Sequence, residues 1–242
     1  MSYTYATFVT TLANLMGEDP TDSNWLQYVS SMIDYAEGRI YRELDLLASV
    51  IADRTASLST GTRNFTLPST LGRFQTVDAI NVFTPVSTLT LRNPLTEVSV
   101  DALNWMWPSD QAVTGYPVPV NFAWLQDGNA GLQTVLVGPA PSATYNVEVI
   151  GTIIPVALSS TNTTSFLASY LPDLFLAASM IQGSAYQKNF GAEQDNPQQA
   201  MSWEQQYQAL FKSADMVESR KKFSSVSWTS KKPEPNVSPQ RG

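Results

Sequence analysis

Residues 22–47 read DSNWLQYVSSMIDYAEGRIYRELDLL, and this stretch decides the fold. Trp25, Val29, Met32, Ala36 and Ile40 recur at three- and four-residue steps, the spacing that gathers side chains on one face of an α-helix. Leu26 and Ile33 widen that stripe. Asp22 and Ser23 are suited to cap the helix, because a short polar side chain accepts hydrogen bonds from the free amides of the first turn. At the far end Arg39, Arg42, Glu43 and Asp45 form a mixed-charge patch beside Leu44, Leu46 and Leu47. Arg39 and Glu43 stand at the spacing that pairs opposite charges along a helix. Glu37 with Tyr41 reads as an ordinary pair of helical neighbours. Beyond residue 48 the pattern turns to β, and after residue 155 it returns to helix.

Working outward, Phe8, Leu12 and Leu15, with Val9 and Met16 beside them, predict a helix over 4–16, capped by Thr4 and ended by Gly17. A third helix is expected over 171–189. Its stripe is Leu174, Ala178, Ile181 and Ala185, with Phe175 adjoining, and its small residues Ala177, Ala178 and Gly183 permit close helix contact. A fourth helix begins near Asn196-Pro197, with Trp203, Tyr207, Leu210 and Ala214 in register, then Val217, and runs to about Lys222. Between the helical pairs lie short β segments: Arg63–Pro68, Phe74–Phe83, Ser87–Leu91, Phe122–Leu125, Gln133–Val137 and Tyr145–Ile150. Asp127-Gly128-Asn129 marks a turn; Val98 to Trp107 is ambiguous between strand and helix, a short helix beginning near Ser99 being one reading, and Pro108 ends it. The intervals are too short for crossover helices and there is no GxGxxG, which argues against a parallel nucleotide-binding sheet. The expected fold is α+β. A four-helix bundle-like domain (1–48 and 155–222) carries an inserted antiparallel β sandwich or barrel domain (49–154), and an extended basic arm follows (223–242).

Composition narrows the chemistry. The 242 residues contain neither cysteine nor histidine, which removes disulfides, thiol nucleophiles, imidazole triads and Cys/His metal sites. No GxSxG elbow is present, so the abundant serines have no base to activate them. Asp45 and Asp53 have no carboxylate partners at metal-binding spacing and read as surface or ion-pair residues. No catalytic residue, metal or cofactor is expected, and so no enzyme. No stretch approaches a membrane span, and the N-terminus lacks the basic start and apolar run of a signal peptide. Charged residues make up only 14 % of the chain, a surface suited to packing against copies of itself. Net charge is −7 and uneven: residues 1–210 hold seven basic and eighteen acidic side chains, net −11, and 211–242 hold seven basic and three acidic, net +4.

Two local features invite a binding role. Trp105, Trp107, Tyr116 and Trp124, with Phe122, would suit a carbohydrate- or protein-binding surface on the β domain. The alternative is that they anchor the core and the proline-rich loop. The basic tail holds Arg220, Lys221, Lys222, Lys231, Lys232 and Arg241, with Phe223, Val226 and Trp228 as apolar anchors. That composition suits a peptide arm that orders on a partner protein. Charge alone would also allow nucleic-acid contact.

The chain also resembles the head-to-tail adaptor (connector) proteins of tailed bacteriophages, most of all the tail tubular adaptor type, a helical bundle with an inserted β domain. The resemblance spans nearly the whole ordered chain. Ala36-Glu37-Gly38-Arg39-Ile40-Tyr41-Arg42-Glu43-Leu44 is similar to that family's A-E-x-R-I-x-R-E-L helix, and Phe65-Thr66-Leu67-Pro68 to its strand before the sheet. Val135-Leu136-Val137-Gly138-Pro139-Ala140-Pro141 and Tyr145-Asn146-Val147-Glu148-Val149 are similar to its penultimate strand, P-x-P turn and returning strand. Tyr170-Leu171-Pro172-Asp173-Leu174-Phe175-Leu176 opens the third helix, although the family usually joins the Tyr and Pro directly. The helix of Trp203, Tyr207 and Leu210 completes the match.

The resemblance implies a structural virion protein at the head–tail junction, assembled in the host cytoplasm. Such adaptors form a homo-oligomeric ring, usually of twelve copies, below the portal protein. The ring extends the DNA channel and gives the downstream tail or nozzle protein a platform. DNA would pass without sequence-specific binding, and an acidic body would suit a lumen that repels it. The portal or subunit interface is then expected at Arg39, Arg42, Glu43, Arg220, Lys221, Lys222, Phe223, Trp228, Lys231 and Lys232. The tail-facing or ligand surface is expected at Trp105, Trp107, Tyr116 and Trp124; the alternative is a carbohydrate- or protein-binding β module of a phage tail spike or fibre that uses the same residues.

Overall fold

A computed structural model describes residues 2–84, 91–111, 117–126, 133–186 and 199–225. Expectations for residues 87–90, the 127–129 turn, Tyr116, residues 187–189 of the third helix, the Asn196-Pro197 helix start and the tail from 226 onward lie outside those residues.

Helix α1 (Tyr5–Met16) starts where Thr4 Oγ1 accepts from the Thr7 amide, and ends where Gly17 turns into the left-handed region at φ 73°. Phe8, Val9, Leu12 and Met16 are buried, but Leu15 is exposed. Helix α2 (Ser23–Glu43) is capped by Asp22, which accepts from the Trp25 amide. Its stripe of Trp25, Val29, Met32, Ile33, Ala36 and Ile40 is buried, each large apolar side chain contributing about 1.5–3 kcal/mol. Leu26 is exposed instead of widening the stripe. The buried arc broadens at the opposite end, where Glu37 and Tyr41 are covered.

Helix α4 (Phe166–Tyr170) fills the short interval ahead of the expected third helix. Ser165 caps it, and its five residues are too short to show a period. Leu171 then separates it from α5 (Pro172–Tyr186), and the Leu171 carbonyl accepts the Phe175 amide as the new helix begins. Proline suits that first position, where its missing amide has no helical partner to lose. Helix α5 packs against both α2 and α6 (Gln199–Ser225). Phe175 stacks on Phe8 with ring centroids 4.5 Å apart. A side chain at Gly183 would come within 2.8 Å of Met32 Cε, so the small residue is what allows the close approach. On α6, Tyr207 and Ala214 are buried, with Trp203 and Leu210 partly so. The next inward position is Glu218, not Val217, which is exposed. The helix continues past Lys222 to Ser225, so Arg220–Lys222 sit on it as expected, and Phe223 is on the helix too and not at the start of an extended arm.

The β region forms two four-stranded sheets. The first has the order β1 (Val50–Leu58), β8 (Tyr145–Pro155), β3 (Gly72–Thr84), β4 (Leu91–Pro94). The second runs β2 (Asn64–Thr66), β7 (Gln133–Gly138), β6 (Asn121–Gln126), β5 (Thr96–Glu97). Leu58, Phe74, Ile80, Val82, Val147 and Val149 of the first share a core with Phe65, Phe122, Val135 and Val137 of the second. Among the described residues all strand pairings are antiparallel except β5 with β6. The exception has a cause. Leu95 alone separates β4 from β5, its amide bound to Ile80 O at 2.9 Å, while the next amide, Thr96, bonds Val120 O in the second sheet at 2.9 Å. The chain changes sheets at one residue, with no turn to reverse it. The ambiguous stretch after Val98 is a helix, α3 (Val100–Met106), capped by Ser99.

The two sets of helices share one core, and the sheets have another. Three small elements join them: the segment Leu44–Ser49, the end of β8, and the stretch around Leu158.

Candidate functional site

Arg39 lies on α2 with its side chain only 12 % exposed. Its Nη1 and Nη2 both donate to Glu204 of α6, at 2.7 Å each, and its Nε donates to Glu43 Oε1 at 3.0 Å. The guanidinium also sits 4.2 Å from the centre of the Tyr207 ring, and Tyr207 Oη donates to Glu43 Oε2 at 2.6 Å. The paired carboxylates hold Arg39 firmly in its charged form, and the bond from Arg39 holds Glu204 below the usual carboxylate range. Burial, then the bond to Glu43, raises the Tyr207 hydroxyl. This four-residue network ties the helix before the β insertion to the helix after it. The expected Arg39–Glu43 pair is present. Glu204 lies far off in sequence and was not legible as its partner.

Another carboxylate of α2, Glu37, is buried two residues before Arg39, on a different face of the helix, and accepts the Leu158 amide at 3.2 Å. Burial pushes its carboxyl up to about 7, opposed by the Leu158 bond and assisted by nearby Asp34. Burial and the Glu37 charge raise the hydroxyl of Tyr41 as well. These two side chains are therefore core residues where the sequence shows ordinary helical neighbours.

The end of α6 closes the junction. Glu218 accepts the Leu47 amide at 3.2 Å and Lys221 Nζ at 2.5 Å, and Lys222 pairs with Asp45. Arg220 is exposed, and Phe223 is 76 % exposed on the same turn. Arg42 is exposed, with its Nε on the Gly38 carbonyl at 2.9 Å. Arg42, Glu43 and Asp45 line a cleft of about 380 Å³ with Gln75, Thr76 and Asp78 of β3, where the helices meet the first sheet. Asp53, which reads as a surface or ion-pair residue, is instead buried in the β1 bulge, accepting the Thr55 amide and hydroxyl at 2.8 and 2.7 Å.

The described tryptophans do not form one platform. Trp105 is 85 % exposed on α3. Trp107 donates from Nε1 to Asn121 Oδ1 at 3.2 Å and lies over Gly138, where a side chain would meet its ring at 2.5 Å. Trp124 packs edge-on to Phe122 at 5.6 Å, against the sheet core.

The first sheet holds the other charged cluster. Glu148 of β8 is fully buried. It accepts Arg54 Nε at 2.8 Å, Arg92 Nε at 2.9 Å and Nη2 at 3.2 Å, and Asn81 Nδ2 at 2.9 Å. The bond from Arg92, then those from Arg54 and Asn81, hold its carboxyl below the usual range in spite of burial. Nothing in the local pattern VEV marks Glu148 as a hub, because its partners come from three other strands.

Chemically these are tethers. Among the described residues no three His, Cys, Asp or Glu side chains gather as a metal would need, and no helix is long and apolar enough to cross a membrane. No curated protein matched the chain. The family model described as SU10 adaptor protein matches residues 3–229, taking in both helical segments and both sheets. The chain belongs to the SU10 adaptor protein family, and it is a structural adaptor protein of the phage head–tail junction.

Proposed function

We propose that copies of this chain form a ring between the portal and the tail, extending the DNA channel and presenting the platform on which the tail is built. Family membership across residues 3–229 carries this reading. The helical part is the unit of residues 1–48 and 155–222, with 49–154 inserted as the β unit. Arg39 and Glu43 serve the ring indirectly, by fixing α2 to α6. Arg42, Arg220 and Phe223 are the exposed members of the helical interface with a neighbouring copy or the portal. Lys221 and Lys222 bridge to Glu218 and Asp45 beside them. Trp228, Lys231 and Lys232 extend the basic surface along the portal. Trp105 is the exposed aromatic anchor for the tail side. The net −11 of residues 1–210 favours free passage of DNA over gripping it. The role is mechanical and not enzymatic.

Deleting the gene from the phage tests the reading. Filled heads should accumulate without tails and be rescued by added protein. Head–tail joining that survives the deletion would sink it. Truncation after Ser225 should weaken portal docking while leaving the melting temperature unchanged; undiminished docking would remove the tail from the interface.

A further inference from the structure

Glu148 faces away from the sandwich core: its neighbours Val147 and Val149 point inward, and strand alternation sends Glu148 to the outer face. It is buried there because Arg54 and Arg92 lie over it, each also within cation–π reach of the Phe83 ring, at 5.2 and 5.5 Å. The two side chains are nonetheless 51 % and 55 % exposed. Arg54 spends only its Nε on Glu148, and Arg92 its Nε and Nη2. Both Nη groups of Arg54 and the Nη1 of Arg92 therefore have no partner among the described residues. Two guanidinium groups over one carboxylate leave a local charge of +1, on a body whose first 210 residues carry −11. Of the other two arginines in the β region, Arg63 is spent on Asp110, Asn104 and the Val137 carbonyl, and Arg73 is a single exposed guanidinium at the start of β3, not one of a pair over a shared carboxylate.

We propose that Arg54 and Arg92, held in place by Glu148 on the outer face of the first sheet, receive a carboxylate of a neighbouring copy of this chain. The chemistry is that of the guanidinium fork, whose planar N–H pairs match a carboxylate edge to edge. The occupant follows from charge. Acidic copies brought side by side repel one another, and this patch is where a neighbour's acid lowers that cost instead of raising it. Phosphate oxygens fit the same fork, but the surrounding negative charge opposes a DNA strand. Glu148 is the positioning residue: it fixes both guanidiniums against Phe83 before the neighbour arrives, so less side-chain entropy is lost on contact.

The inference rests on the ring reading, and sedimentation velocity of the full chain, alone and with portal, separates the two. The triple variant Arg54→Gln/Arg92→Gln/Glu148→Gln removes the site without stranding a buried charge. It should melt cooperatively and associate at least about tenfold more weakly than wild type. The double variant Arg54→Lys/Arg92→Lys keeps a cation on Glu148 but presents no outward fork; it covers the case in which the triple variant does not fold, and it should weaken association in the same direction. Equal association of wild type and a folded variant would overturn this proposal and leave the ring intact. A wild type that never associates would overturn the ring and this proposal with it. Loss of binding to a fluorescent DNA duplex in the variants, with association unchanged, would reassign the site to phosphate and overturn the carboxylate reading.

Discussion

Glu37 in the helical core and Glu148 in the β region are both buried glutamates, yet their surroundings push them in opposite directions. Glu148 has two arginines and an asparagine on its oxygens. Glu37 has one backbone amide, with a like charge, Asp34, nearby. Burial penalises the ionised form of both, and only opposite charge reverses the sign. The β region thus keeps a charge inside by enclosing it, whereas the helical region keeps a group poised to lose one.

The comparison can be broken by making one site resemble the other. Replacing both Arg54 and Arg92 with Met strands the Glu148 charge in a covered position, and should cost about 3–5 kcal/mol at neutral pH. Denaturant unfolding would show the loss shrinking as pH falls and Glu148 takes up a proton. A loss that does not vary with pH would mean the arginines act through packing alone.

The wild-type pH profile sharpens the same contrast. A carboxyl raised from 4.5 to about 7 in the folded state holds its proton more tightly there than in the unfolded chain. Glu37 therefore costs nothing below about pH 4.5, and its penalty grows as pH rises to about 7. It levels off near 3 kcal/mol above that, at about 1.4 kcal/mol for each pH unit of displacement. Glu37→Gln, which retains an acceptor for the Leu158 amide, should raise stability at pH 8 by up to that amount and leave it unchanged near pH 4. Glu148 works the other way. Its carboxyl is depressed, so its contribution is complete above the ordinary range and is lost as pH falls below about 4.5. Equal stabilisation by Glu37→Gln at both pH values would contradict the assignment.

The smallest effect concerns the joint between the helical halves. Tyr207→Phe removes the bond to Glu43 while keeping the ring under Arg39, and should cost about 1 kcal/mol. Thermal unfolding measures it. No change would mean that Arg39 alone holds Glu43.

Much of this architecture is legible in the sequence, because local rules govern it. Thr4, Asp22, Ser99 and Gly17 mark helix ends through their own chemistry, and the stripe from Trp25 to Ile40 states which face is buried. The small residues of α5 foretell its close contacts, as Gly183 against Met32 shows. What could not be read depends on partners distant in sequence. Glu204 reaches Arg39 from the far side of the β insertion, and Glu148 draws its arginines from β1 and β4. Helix α4 is too short for periodicity, and the parallel β5–β6 pair arises from a change of sheet at Leu95, which no strand pattern encodes. At Glu218 a polar side chain takes the inward position because it serves the Leu47 amide, so the apolar pattern points one residue early, to Val217.

The central claim is that this subunit is built to join copies of itself to the portal. The most direct test is the particle mass of the purified chain, alone and mixed with portal protein. A closed multimer is expected in the presence of portal, seen as a ring coaxial with it. A chain that stays monomeric in both samples would contradict it.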